Sequence, residues 1–310
     1  MARGVDDPTP GLLLVDKPAG WTSHDVVARA RRILGTRKVG HAGTLDPMAT
    51  GLLVLGVGRA TRLLTYVTGH DKAYLATIRL GEATITDDAE GEITASADAS
   101  GISDADIASS IAALTGEIMQ RPSAVSAIKV DGKRSYARVR SGEDVELPAR
   151  PVTVSAFEVL QIRREGKVTD VDVTVEVSSG TYIRALARDL GESFGVGGHL
   201  TALRRTRVGR FDVSQAVVLD NPEAQPTLLP LDAAAAGALP AFEVTDEEAV
   251  RLGLGQALEG RGAELTSPKH DDDHSHDAVA LTAGGVAVAI VRRRGSKARP
   301  VIVFSPSGGM

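Results

Sequence analysis

The sequence predicts an α+β protein, and three observations carry that reading. Strand-like alternation, as in VDVTVEV from Val171 to Val177, is interspersed with helix-periodic segments but without a strict β–α alternation. Between Asp220 and Pro240 the chain turns Ala- and Pro-rich and carries no Lys or Arg, which marks a domain boundary. Beyond it, strand signals at Ala278–Thr282, Val286–Arg292 and Pro300–Phe304 suit a small β-rich domain.

Each element has a local reason. Gly11-Leu12-Leu13-Leu14-Val15 is an apolar run stopped by Asp16-Lys17-Pro18, a buried strand entering a turn. Thr22 or Ser23 then caps a helix whose apolar positions are Val26, Val27, Ala30, Ile33 and Leu34, with Gly35 at its end. Lys72 to Leu80 alternates as a strand with Tyr74, Ala76 and Ile78 on one face. Thr84 to Gly91 reads as an acidic loop, and Thr94 to Gly101 as weakly structured. Ser103 with Asp106 resembles a capping box before Ile107, Ile111 and Leu114. Asp131-Gly132 is a hairpin turn signal. Val152–Leu160 and Val171–Val177 are strands, and Ser178-Ser179-Gly180 turns the chain into a helix with Ile183, Leu186, Ala187 and Leu190 on one stripe. Gly195 to Gly198 breaks that helix, Val208 to Val213 is a further strand candidate, and Thr245 with Glu248 starts a short helix.

Composition narrows the chemistry. The 310 residues include no cysteine, so disulfides, thiolate nucleophiles and cysteine-ligated zinc are excluded. No apolar run approaches a bilayer span and the first residues lack a signal-peptide core, so a cytoplasmic protein is expected. The net charge of −5 disguises three basic clusters, at Arg121–Arg140, Arg184–Arg210 and Arg292–Arg299, which suit an anionic ligand if they share a face. His270 to Asp277 has the composition of a metal tract but no defined geometry, and is expected to be an exposed loop. Phosphate-loop, dinucleotide, serine-hydrolase and zincin patterns are absent from the sequence.

The densest constellation runs from Arg37 to Leu64, RKVGHAGTLDPMATGLLVLGVGRATRLL. Asp46 stands at its centre, followed by Pro47 and flanked by Gly43 and Gly51. Proline restricts the acid before it to extended backbone, and glycines permit tight turns or close approach of a ligand. The stretch reads as a rigid loop presenting one carboxylate ahead of a buried apolar run.

GHAGTLDPMATGLLVLGVGRATR closely resembles the motif of the bacterial tRNA pseudouridine synthase B family. LLLVDKPAGWTSHDVV, DKAYLATIRLG, RPSAVSAIKVDGKRSYARVR, SSGTYIRALARDLG and GGHLTALRRTRVGRF follow in the family's order, so the resemblance extends along most of the first 230 residues. It implies a pseudouridine synthase fold, with a mixed, mainly antiparallel central sheet flanked by helices and a small PUA-like C-terminal domain. The corresponding divisions are a tail at 1–9, a catalytic domain at 10–232 with an RNA-gripping insertion at about 121–150, and a C-terminal domain at 238–310.

The resemblance implies isomerisation of uridine at position 55 in the T loop of tRNA, by a monomer acting on the T arm without cofactor, metal or membrane. Asp46 would be the nucleophile, attacking either C1′ of the sugar or C6 of the base. Tyr74 would stack on the flipped uracil and accept the C5 proton, and Arg184 would pair with Asp46. His41 would help to hold the nucleotide out of its stack, Lys17 and Arg62 would contact RNA or support the site, and Asp88 would support the arginine. Gly43 would admit the RNA backbone. Lys129, Lys133, Arg134, Tyr136 and Tyr182 complete the implied RNA-binding set. Two rivals stay open on the sequence: an RNA-folding module, and a glycoside-type hydrolase using Asp46 with Asp88.

Overall fold

A computed structural model describes residues 9–123, 147–219, 226–265 and 277–304, together with the backbone at 129–130 and 133–134. Its largest feature is a mixed sheet of ten strands among the described residues. Strand β1 (Gly11–Lys17) leads through α1 (Ser23–Ile33), β2 (Val39–Ala42) and β3 (Thr50–Val57) to α2 (Leu64–Gly69) and β4 (Lys72–Leu80). A small excursion holds β5 (Glu82–Thr84), β6 (Ile93–Ser96) and α3 (Asp104–Ala113), before β7 (Gly116–Gln120). The short strands β8 (Lys129–Val130) and β9 (Lys133–Arg134) pair antiparallel, and the turn expected at Asp131-Gly132 lies outside the described residues. Strands β10 (Arg150–Glu165) and β11 (Val168–Val177) precede α4 (Ile183–Ser193), β12 (Gly198–Val208), β13 (Phe211–Asp212) and β14 (Leu229–Pro230).

The sheet runs β14-β1-β3-β12-β4-β11-β10-β7, with β2 beside β3 and β13 beside β12. Every neighbouring pair is antiparallel except β12 with β3, where Arg204 lies opposite Thr50 and Arg205 opposite Gly51. Strand β12 therefore joins two halves of the sheet, one of β1, β2 and β3 with the late strand β14 at its edge, and one of β4, β11, β10 and β7.

Burial explains the sequence patterns. Leu13, Val15, Leu53 and Leu55 join Ala76, Ile78, Val171, Val173 and Val175 in one core with residues of α1, α3 and α4. Leu12, Leu14, Leu52 and Val54 pack on the opposite face against Leu63, Val67, Ala234 and Ala235. Strands β1 and β3 are thus covered on both faces, which is why they read as continuous apolar runs, while β11 alternates because only one face is buried. Helix α1 begins with a full capping box, Thr22 bonding the Asp25 amide and Asp25 returning to Thr22.

The stretch expected as a boundary contains α5 (Leu231–Ala238), followed by β15 (Ala241–Val244) and α6 (Asp246–Gly253). Strands β16 (Asp277–Thr282), β17 (Ala287–Arg294) and β18 (Lys297–Val303) complete a four-stranded sheet with β15. Helix α5 is no loose linker: Ala234, Ala235 and Ala238 share one core with β1 and β3 on one side and Val279, Ile290 and Phe304 on the other. At this joint, Asp277 is fully buried, paired by both carboxylate oxygens with Arg292 at 2.6 and 2.8 Å and accepting from the Tyr66 hydroxyl at 2.9 Å. Residues 266–276, most of the His/Asp tract, lie outside the described residues, as does the tail at 1–8.

Several sequence expectations are corrected. Val208–Val213 is not one strand: Val208 ends the long central strand β12, GHLTALRRTRV, and Gly209, at φ +53°, turns the chain into the short β13. Strand β10 runs on to Glu165, because its charged end pairs with the charged end of β11, Arg163 with Asp172. Gly116–Gln120 is an unanticipated strand, and Ile93–Ser96 pairs with β5 where weak structure was expected.

Candidate active site

The loop carrying Asp46 is fixed at every turn. On one side of the acid, the Leu45 amide donates to Ser23 Oγ at 2.9 Å, and that hydroxyl donates back to the Leu45 carbonyl at 3.1 Å. On the other side, the Pro47 carbonyl accepts from the Gly20 amide at 2.8 Å and from Lys17 Nζ at 3.1 Å. Both ends are held by Arg205, whose Nε donates to the Leu52 carbonyl at 2.7 Å and whose Nη2 donates to the Gly43 carbonyl at 3.0 Å. Gly51 is obligatory: at φ +96°, a Cβ there would lie 2.2 Å from the Arg205 carbonyl oxygen.

Arg184, in the first turn of α4, reaches the loop from across the core. Its Nε lies 3.1 Å from Asp46 Oδ2 and its Nη2 3.4 Å from Oδ1, a two-pronged contact. Its Nη1 donates to the Thr86 carbonyl at 2.9 Å and lies 3.4 Å from Asp88 Oδ2. Asp88 is in turn held by Thr86 Oγ1 at 2.6 Å and by the Glu90 amide at 3.0 Å. Asp88 is buried, whereas 35% of the Asp46 side chain stays open to solvent. The arrangement is a buried arginine shared by an inner, structural carboxylate and an outer, accessible one.

Electrostatics at Asp46 are balanced between opposing causes. Desolvation raises its pKa above the ordinary carboxylate value, Arg184 pulls it down, and Asp88 pushes it up again. Burial lowers Lys17 to about 8, and lowers Lys72 likewise to about 8 with a further contribution from Arg205. Burial also lowers the His41 pKa, reinforced by His24 and Arg205; the two imidazoles meet edge to face at 5.8 Å. His41 Nδ1 is buried without a hydrogen-bond partner.

Structure sorts the expected residues into groups. Asp46, Arg184 and Asp88 come together. Tyr74 is buried in the core that also holds Leu45 and Ile183, the chain neighbours of Asp46 and Arg184. Lys17, expected to contact RNA or support the site, is wholly buried, and its three donors end on the Pro18, Trp21 and Pro47 carbonyls; it serves the loop and offers no surface to RNA. Arg62 lies away at the C-terminal sheet, donating to the Val303 carbonyl. Tyr182 caps α4 and exchanges hydrogen bonds with Gln120 through its backbone, while Arg150 lies over its ring at 5.1 Å. The side chains of Lys129, Lys133, Arg134 and Tyr136 lie outside the described residues.

The Arg184–Arg210 cluster is not a free basic face. Arg188 pairs with Asp87 and Asp189, Arg204 with Asp16, and Arg207 with Asp71 and Glu176, while Arg205 is buried beneath the loop. Arg205 and Ser23 are the positioning residues that sequence reasoning passed over. Their partners are carbonyls and an amide distant in sequence, and nothing in a residue's type signals such a contact.

Comparison with known proteins places this geometry. Residues 31–183 match the model of the N-terminal domain of the TruB family of pseudouridylate synthases, and residues 184–234 match that of the tRNA pseudouridylate synthase B C-terminal domain. A tRNA pseudouridine synthase B from Arthrobacter sp. (strain FB24) is 56% identical over 300 residues, covering 96% of this chain and 97% of that protein. The chain belongs to the tRNA pseudouridine synthase B family. A second member, from Corynebacterium aurimucosum, is 58% identical over 298 residues, again covering 96% and 97%. Among solved structures, an H/ACA RNP bound to a substrate RNA containing 2′-deoxyuridine superposes with a TM-score of 0.68 at 25% identity, covering 98% of this chain and 86% of that one. A Cbf5-Nop10-Gar1 complex gives 0.67 at 25% identity, covering 96% and 85%. The pseudouridine synthase fold expected from the sequence is therefore the fold of this chain. Among the described residues, no helix is long and apolar enough to cross a membrane.

Proposed function

We propose that this protein isomerises uridine to pseudouridine in tRNA, at position 55 of the T loop, with Asp46 as the nucleophile. The observation that carries the assignment is a solvent-accessible carboxylate on a pinned loop, clasped by Arg184, in a chain of this family. The reaction is balanced without a co-reactant: C1′–N1 breaks, C1′–C5 forms, the C5 proton leaves and N1 gains one. A carboxylate held rigid and ionised can form the covalent intermediate that divides this into easier steps, at C1′ or at C6. Arg184 favours the ionised form and aims it. Tyr74 is the residue assigned to stack on the extruded base and accept the C5 proton, and His41 the one that shields the vacated stack.

The supporting roles follow. Asp88 holds Arg184 on its inner side, and Lys17 braces the loop. Lys129, Lys133, Arg134 and Tyr136 of the insertion grip the T arm, with Gly43 and Tyr182 at its margin and Arg62 acting through the C-terminal sheet. The enzyme works as a cytoplasmic monomer without cofactor or metal, with a catalytic domain at 10–232 and a PUA-like domain at 238–310. Asp46→Asn tests the reading. The variant should bind tRNA as the parent does and form no pseudouridine. Residual turnover above about a thousandth of the parent rate would remove Asp46 from the nucleophile's place. Free uracil instead of pseudouridine from the parent protein would make it a hydrolase.

A further inference from the structure

Outside the Asp46 site, a second concavity opens on α1. It has a volume of about 360 Å³ and is lined by Trp21, Asp25, Ala28, Arg29 and Arg32. Three properties separate it from an ordinary surface dimple. Its wall contains the chain's single tryptophan, partly packed on the core so that one part of the indole is anchored and the rest is left to the groove. Arg29 and Arg32 line it together with one carboxylate, Asp25, which is already engaged by the amide and hydroxyl of Thr22. Arg29 is anchored to the Leu219 carbonyl at 3.0 Å, while Arg32 stands exposed at the next turn of the helix.

Position is the further argument. Gly20, next to Trp21, donates its amide to the carbonyl of Pro47, next to Asp46. Lys17 bonds the Trp21 and Pro47 carbonyls with the same ammonium. Groove and nucleophile are thus two edges of one hydrogen-bonded corner. A half-buried aromatic ring and the exposed Arg32 cation lining one groove are the chemistry that takes an unstacked nucleotide, the base on the ring and the phosphate on the cation.

We infer that the Trp21–Arg32 groove binds a second, unpaired nucleotide of the substrate RNA, flanking the one carried to Asp46. This rests on the RNA-modifying function proposed above. The groove supplies affinity and register, and it touches no reacting atom.

The chain reports on the site itself, because all tryptophan emission comes from Trp21. The Asp46→Asn protein, which does not turn over, is titrated with a T-arm RNA stem-loop while fluorescence and filter binding are followed together. Saturable quenching should coincide with binding. Trp21→Ala should weaken binding about tenfold, the range of one base–aromatic stack, and Trp21→Phe should recover most of the loss. In the otherwise native enzyme, neither change should alter kcat at saturating RNA. Because Trp21 also touches the core, Arg32→Ala is the independent variant: it should lower affinity and reduce the salt slope of binding by about one phosphate contact. RNA bound on the filter with emission unchanged, or Trp21→Ala and Arg32→Ala binding as the parent does, would overturn the inference. Quenching and binding without pseudouridine from the native enzyme would overturn the parent function and leave the groove standing.

Discussion

Removing Arg184 should move the acid limb of the activity profile, and the structure gives the direction of the move and the interaction behind it. Its Nε lies 3.1 Å from Asp46 Oδ2. Two unit charges at that separation attract by about 5 kcal/mol at an effective dielectric of about 20 and by about 1 kcal/mol in water. Since 35% of the Asp46 side chain is exposed, solvent screening places the interaction toward the lower end, about 2 kcal/mol. The sign follows from the chemistry. In the proposed mechanism the nucleophile is the ionised carboxylate, so activity is lost as pH falls through its pKa. That pKa is already raised by desolvation and lowered in opposition by Arg184. Arg184→Gln should therefore shift the acid limb upward, beyond any fall in the plateau. Arg184→Lys keeps the charge but loses the two-pronged grip, so it should lose plateau rate with a smaller shift. Single-turnover release of tritium from C5-labelled uridine in tRNA, measured across pH, separates the two effects; the limb's position does not depend on how much protein is folded. A limb unmoved in Arg184→Gln would refute the claim that this arginine sets the ionisation of Asp46.

Three further outcomes test the frame around the site. Arg205→Lys retains a buried cation but cannot hold the Gly43 and Leu52 carbonyls together; kcat should fall at least tenfold with tRNA affinity unchanged, as fluorescence titration and steady-state kinetics would show. Gly51→Ala drives a Cβ into the Arg205 backbone at φ +96°, and should destabilise the fold by about 3 kcal/mol in denaturant melts. Tyr66→Phe leaves one oxygen of the buried Asp277 short of a donor; it should cost about 1–3 kcal/mol by calorimetry, without changing the pH profile.

What could be read from the sequence divides along a physical line. Elements whose cause is local were legible: the start of α1 at Thr22 or Ser23, the alternation of β4 and β11, and the proline- and glycine-bounded loop of Asp46. Elements stabilised by distant partners were not. Strand β12 carries three arginines in four residues and looks like a solvated face, yet Arg204 meets Asp16 and Arg207 meets Glu176 across the sheet. Helix α5 looked like a linker because alanine is silent about its neighbours, although its methyl groups fit between two sheets. At the site, the acid and its arginine were recoverable through family resemblance. The role of Lys17 was legible only in part, because burial of a lysine depends on three carbonyls that the sequence does not bring together.

The seat of β12 between β3 and β4 has a consequence for how the protein is made. Synthesis delivers the Asp46 loop early, with β1, β2 and β3, and Tyr74 soon after with β4. The strand that welds the halves emerges some 150 residues later, and only then can Arg205 fasten the loop. A chain still on the ribosome with β11 complete would hold Asp46 with neither Arg184 nor Arg205. Such late, long-range closure is intrinsically slow, and it makes the clasped and pinned state of Asp46 wait until about two-thirds of the polypeptide has been made.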